Sequence, residues 1–100
     1  GVRPDTLAGF GAVSEAAVIE MAAGALRHSR AQAALAISGV AGPSGGSDSK
    51  PVGTVCFAWA VAGRPARAST EHFDGDRRRV RMQAVRHAIE QMLADLSAMP

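Results

Sequence analysis

The sequence predicts an α/β fold: a layered α/β/α sandwich, or part of one, with elements in the order helix, strand, strand, strand, helix. Three observations carry that expectation. Apolar residues recur at helical spacing near both ends of the chain. Between them lie a short, continuously apolar run and two further runs rich in residues that favour strands. Clusters of Gly, Pro, Ser and Asp separate these segments and mark turns. The chain has 100 residues, enough for one small domain over residues 1–100.

Residues Gly1 to Gly11 read as an extended lead-in, broken by Pro4, Gly9 and Gly11. Ser14 stands where a helix N-cap belongs, its hydroxyl able to accept a bond from an orphan backbone N–H; Glu15 follows and suits the positive helix end. Val18, Met21, Ala22, Ala25 and Leu26 then form one apolar stripe, and Arg27, His28 and Arg30 close the helix. Ala33 to Val40 reads as a buried strand covered on both faces. A loop rich in Gly, Ser and Pro runs from Ser38 to Gly53. A second strand spans about Thr54 to Val61, with Val55, Phe57, Trp59 and Val61 on one face and Thr54, Cys56, Ala58 and Ala60 on the other. Gly63-Arg64 suits a hairpin turn, and a more exposed edge strand follows over about Ala66 to Phe73. Asp74, Gly75 and Asp76 stop that strand and start a last helix, about Arg77 to Leu96. Val85, Ala88, Ile89, Met92, Leu93 and Leu96 give it the strongest periodic signal in the chain.

Composition narrows the function classes. Hydrophobic residues make up 47% of the chain and aromatic residues 4%, so the core must rest on small and aliphatic side chains. A net charge of +2 is too small to point to direct nucleic-acid binding. Cys56 stands alone and cannot form an internal disulfide, and no metal-ligand spacing surrounds it. No apolar run reaches the roughly 20 residues that span a bilayer, and no secretory leader is legible at the start, so a cytoplasmic setting away from membranes is expected. His28, His72 and His87 are scattered and read as surface or helix-end residues. A sheet this thin would gain from further strands, and a homo-oligomer is expected.

The loop after the first strand carries the functional signal. Ser38-Gly39-Val40-Ala41-Gly42-Pro43-Ser44-Gly45-Gly46 leaves the end of a strand, where α/β sheets favour ligands. Its glycines permit close backbone approach, and successive N–H groups can form an anion nest. The alternative is a plain connection. A Walker A loop is excluded, because Ser49 precedes Lys50 and Pro51 follows it. Arg77 and Arg81 are four apart and share one side of the last helix near its start, which suits a phosphate; the alternative is a solvated charge run, Arg77-Arg78-Arg79.

Six segments in order, Gly11-Ala12-Val13-Ser14-Glu15, Met21-Ala22-Ala23-Gly24-Ala25, Ala36-Ile37-Ser38-Gly39-Val40-Ala41-Gly42-Pro43, Gly45-Gly46, Lys50-Pro51-Val52-Gly53-Thr54-Val55 and Gly75-Asp76-Arg77, resemble the CinA C-terminal family. The resemblance implies an amidohydrolase that deamidates nicotinamide mononucleotide to nicotinic acid mononucleotide and ammonia in pyridine-nucleotide recycling, without a metal or cofactor. Some family members are linked to competence or DNA damage. It further implies a serine nucleophile activated by a lysine, with a tyrosine nearby, all upstream of the matching part, so that this chain is a family domain without its N-terminal portion. No catalytic residue is therefore assigned here. The resemblance implies that Ser38, Gly39, Ala41, Gly42, Gly45, Gly46, Arg77 and Arg81 hold the nucleotide. The alternative is a catalytically inactive nucleotide-binding or protein-interaction module.

Overall fold

The computed structural model describes residues 3–4, 13–40 and 51–97. Helix α1 (Glu15–Arg27), strands β1 (Ala33–Gly39), β2 (Thr54–Val61) and β3 (Arg67–His72), and helix α2 (Arg77–Ser97) follow in the expected order. The strands form one antiparallel sheet in the order β1-β2-β3. α1 covers one face and α2 the other, so the fold is the α/β/α layering expected.

The central strand organises both layers. Every residue of β2 is buried. Cys56, Ala58 and Ala60 pack with Val18 and Ala22 of α1, while Val55, Phe57 and Trp59 pack with Val80, Ala84 and Ala88 of α2. The two-residue period of a strand dictates this division, and it matches the alternation in the sequence. On the α2 side Phe57 stacks on Trp59, with ring centroids 5.6 Å apart. The Trp59 indole N–H donates to the Ala88 carbonyl at 3.0 Å, which satisfies its one polar atom inside the core. Arg67 of β3 lies over the same indole, 4.2 Å from the ring centre, and reaches Asp95 of α2 at 3.0 Å. A stack and an ion pair thus fasten the edge strand to the last helix.

Local signals explain the element ends. Ser14 caps α1, its Oγ accepting from the Ala17 N–H at 3.1 Å. Asp76 caps α2 in the same way, its Oδ1 accepting from the Arg79 N–H at 2.9 Å. Gly63 takes φ +82° in the turn between β2 and β3, where the Arg64 N–H bonds the Val61 carbonyl.

Three expectations are corrected. β1 is less buried than expected: helices touch both its faces, with Ala36 under α1 and Ile37 toward α2, but it is an edge strand among the described residues and only Ala36 is fully buried. In α1 the buried row is Val18 and Ala22, with Leu26 and Ile19 beside it, while Met21 and Ala25 face outward. In α2 the sheet-facing residues are Val80, Ala84 and Ala88, whereas Val85, Ile89, Leu93 and Leu96 are exposed. Of the row read from the sequence, Ala88 is buried and Met92 is half-buried against the sheet, while beside the bulk on β2 (Phe57, Trp59) the fully buried positions of α2 are small or medium side chains.

Gly53 ties the three strand ends together. Its N–H donates to the Val40 carbonyl at 2.6 Å, and its carbonyl accepts from the Phe73 N–H at 2.9 Å. It holds φ +97°, and an added Cβ would press on the Phe73 carbonyl oxygen. Gly53→Ala is expected to cost about 2 kcal/mol or more through strain at this junction, read as a lowered midpoint in urea denaturation. An unchanged midpoint would mean that the junction relaxes freely.

Candidate functional site

The antiparallel order brings the C-terminal ends of β1 and β3 and the N-terminal end of β2 to one end of the sheet. The first turn of α1 lies at the same end, since Thr70 near the end of β3 donates to Glu15 Oε2 at 2.6 Å. The N-terminal half of α2 is there too, with Gln83 donating to the Asp74 carbonyl at 2.9 Å. Both helices therefore turn their partially positive ends toward this end of the sheet.

A cavity of about 250 Å³ opens on the α2 side, lined by Ile37 and Gly39 of β1, Val55 of β2, and Val80, Arg81, Ala84 and Val85 of α2. Arg81 is the one charged residue of this lining. Gly39 bounds the cavity with bare backbone, and a Cβ there would stand 3.0 Å from Val55 Cγ2 and 3.2 Å from the Thr54 carbonyl oxygen. The arrangement gives an apolar slot with one fixed-charge donor group at its edge. Such a slot suits a flat ring or sugar with an anionic group, because guanidinium binds phosphate through paired N–H donors.

Ser38 belongs to the other face. It pairs with Cys56, and Cys56 with Thr70, so the three form one row across the sheet on the α1 side. Cys56 Sγ lies 3.5 Å from Thr70 Oγ1, and Thr70 in turn reaches Glu15. Of the sequence-predicted residues, Gly39 and Arg81 share the cavity; Ser38 stands behind them across the sheet, and Arg77 is exposed one helical turn before Arg81. Ala41, Gly42, Gly45 and Gly46 lie outside the described residues, as does Lys50. The flanking pairs Val40 N–H to Thr54 carbonyl (2.8 Å) and Gly53 N–H to Val40 carbonyl fix where that segment leaves and returns.

His87 is a correction to the sequence reading. It is no surface residue: its ring packs between Phe57 (4.7 Å), Trp59 (5.9 Å) and Phe73 (6.2 Å). Its Nε2 and the Ser69 hydroxyl are buried without a hydrogen-bond partner among the described residues. Val80, Ala84, His87, Ala88 and Gln91 follow at i, i+4, i+7, i+8 and i+11, so the signal existed once His is counted as a ring. His72 and His28 are exposed, as the sequence suggests, with His72 Nε2 2.9 Å from the Val52 carbonyl oxygen. No cluster of metal-ligating side chains occurs among the described residues, and none of their helices is long and apolar enough to cross a membrane.

The Glu15–Thr70–Cys56 chain is open to direct test. Thr70→Val removes the shared hydroxyl and is expected to lower stability by about 0.5–1.5 kcal/mol. Adding Glu15→Ala should cost less than the sum of the two single changes, since the pair is already lost. Strict additivity in denaturant melts would show that the two groups do not interact in solution.

Comparison with known proteins agrees with this architecture. The family model of the CinA C-terminal domain matches residues 1–96. Nicotinamide-nucleotide amidohydrolase PncC of Escherichia coli (strain K12) is 56% identical over 90 residues, which are 90% of this chain and 54% of that protein. The namesake from Enterobacter agglomerans is 46% identical over 95 residues, 95% of this chain and 58% of that one. The crystal structure of the competence damage-inducible protein A (ComA) from Klebsiella pneumoniae superposes with a TM-score of 0.91 at 43% identity, over 99% of this chain and 61% of that one. This chain thus spans little more than half the length of the curated relatives it matches. On the family match and these identities, the chain belongs to the CinA C-terminal domain family.

Proposed function

We propose that this chain supplies the nucleotide-holding side of an amidohydrolase that converts nicotinamide mononucleotide to nicotinic acid mononucleotide and ammonia. The observation that carries the reading is the Gly39–Arg81 cavity: apolar walls, bare backbone at one rim and a guanidinium at the other. The ring and ribose would lie against Ile37, Val55 and Ala84, and the phosphate against Arg81, with Arg77 one turn away to add long-range attraction. The names of the E. coli and E. agglomerans relatives support the substrate class.

In the reaction, water adds its oxygen to the amide carbonyl carbon and the C–N bond breaks. The amide nitrogen leaves as ammonia after taking up a proton. A hydroxyl nucleophile needs an adjacent base for this. Among the described residues lining the cavity there is neither a hydroxyl nor a thiol. The part assigned to this chain is therefore binding and orientation. Ser38, which faces α1, contributes at most its backbone to a ligand beside Gly39.

That same lack of a nucleophile favours a second reading, a binding module without turnover. The two readings part in one experiment. Titration calorimetry with nicotinamide mononucleotide should show binding, weakened about 10-fold or more in Arg81→Ala and less in Arg77→Ala. Ammonia release should be absent for this chain alone and appear when a segment carrying the family's serine, tyrosine and lysine precedes it. Binding without turnover in that longer chain would favour the inert module. Turnover by the 100-residue chain would transfer the chemistry to Ser38 and Lys50.

A further inference from the structure

The peptide between Val52 and Gly53 is held from two sides. Pro51 to Thr54 form a turn closed by the Thr54 N–H on the Pro51 carbonyl at 3.0 Å. Of its two inner residues only Gly53 has positive φ, at +97°, which marks a type II turn. The closing bond of such a turn uses neither the C=O nor the N–H of the central peptide. Because a trans peptide is planar, these two groups point in opposite directions along one rigid plate. Here the N–H end donates to the Val40 carbonyl at 2.6 Å, and the C=O end lies 2.9 Å from His72 Nε2. The plate thus bridges the residue after β1 to the last residue of β3.

The Val52 carbonyl can only accept, so His72 must present its proton on Nε2. The ring also crowds Gly53, since a Cβ there would stand 3.0 Å from Nε2. Nδ1 is 3.8 Å from Asp74 Oδ1, too far for a hydrogen bond, and that carboxylate is fully exposed, so the bond to Val52 is the stronger tie. A tie is needed because glycine tolerates either sign of φ, and the central peptide of a turn with glycine in its third place can rotate between turn types at small cost. That rotation would carry the Gly53 N–H away from the Val40 carbonyl. Val40 is otherwise held by its own N–H on the Thr54 carbonyl at 2.8 Å, and it follows Gly39, the bare-backbone rim of the cavity.

Given that the Gly39–Arg81 cavity holds the nucleotide, as proposed above, we infer that His72 is a positioning residue for that ligand. It touches no ligand itself. By pinning the Val52–Gly53 peptide from β3, it fixes Val40 and with it the Gly39 rim against which the ligand packs.

His72 is exposed, so it can be replaced in the full protein without opening the core. A Gln side chain sets its amide nitrogen near the place of Nε2, whereas Asn sets it only near Nδ1, so Gln keeps the donor and Asn loses it. Amide hydrogen exchange at Gly53, followed by NMR, should be faster by about 10-fold or more in His72→Asn and near native in His72→Gln. Affinity for nicotinic acid mononucleotide, a ligand that turnover does not consume, should fall about 5-fold in His72→Asn and return in His72→Gln. Unchanged Gly53 exchange in His72→Asn would overturn the positioning role whatever the ligand does. Faster exchange with unchanged affinity, in a protein whose affinity does respond to Arg81→Ala, would reduce the tie to a structural one and overturn the role as well. Affinity that ignores Arg81→Ala would remove the nucleotide reading and this inference with it, and the Gly53 exchange tells the two failures apart.

Discussion

Burial of β2 on both faces is the constraint on which the rest depends. A strand without a solvent side must find a cover for each set of alternating side chains, and here the two sets differ in size. The α1 side presents Thr54, Cys56, Ala58 and Ala60; the α2 side presents Val55, Phe57, Trp59 and Val61. Small residues on the sheet admit larger ones from the helix, such as Val18, Ile19 and Leu26 of α1. Large residues on the sheet demand the reverse, and α2 answers with Val80, Ala84 and Ala88. Close packing requires this exchange of bulk across each layer. Trp59 then adds direction, since its N–H bond to the Ala88 carbonyl fixes how far α2 can slide along the sheet.

The same exchange explains which parts of the fold are legible in the sequence. β2 can be read to the residue because its alternation is local and both its ends carry turn glycines. The Ser14 and Asp76 caps are legible because capping is a matter of one side chain and three backbone positions. The buried side of α2 is not legible from periodicity alone. Two apolar rows run along that helix, and the more hydrophobic one is outside. Only knowledge of its neighbour, the aromatic face of β2, selects the alanine row. β1 is misjudged only in degree: a continuous apolar run signals two covers, and both helices do touch it, but how deeply an edge position is buried is not encoded in the run itself. His87 is hidden by its residue type, since a histidine is counted as polar in a sequence pattern although its ring packs here among aromatic side chains.

For the candidate site, strand alternation decides more than motif does. Ser38 and Gly39 are neighbours in a motif that reads as one unit, yet neighbours on a strand face opposite layers. The hydroxyl therefore joins the polar row of Cys56, Thr70 and Glu15 under α1, and only the glycine reaches the cavity under α2. A ligand held by Arg81 would meet the backbone of this segment. Gly39 is then explained by close approach: its Cβ position is hemmed by Val55 and the Thr54 carbonyl, so any larger residue pushes on the wall of the slot.

Val85 connects the cavity to the outer row of α2. It lines the slot beside Arg81 and also belongs to the exposed apolar row. A side chain cannot change its rotamer for one surface without changing it for the other. Whatever covers the outer row therefore also sets the shape of the slot wall next to the guanidinium. The link is short, since Arg81 and Val85 are one turn apart on a helix held by Trp59 and by the Arg67–Asp95 pair. In a rigid helix of this kind, a contact made on the back can tune affinity at the front with little motion of the sheet between α2 and α1.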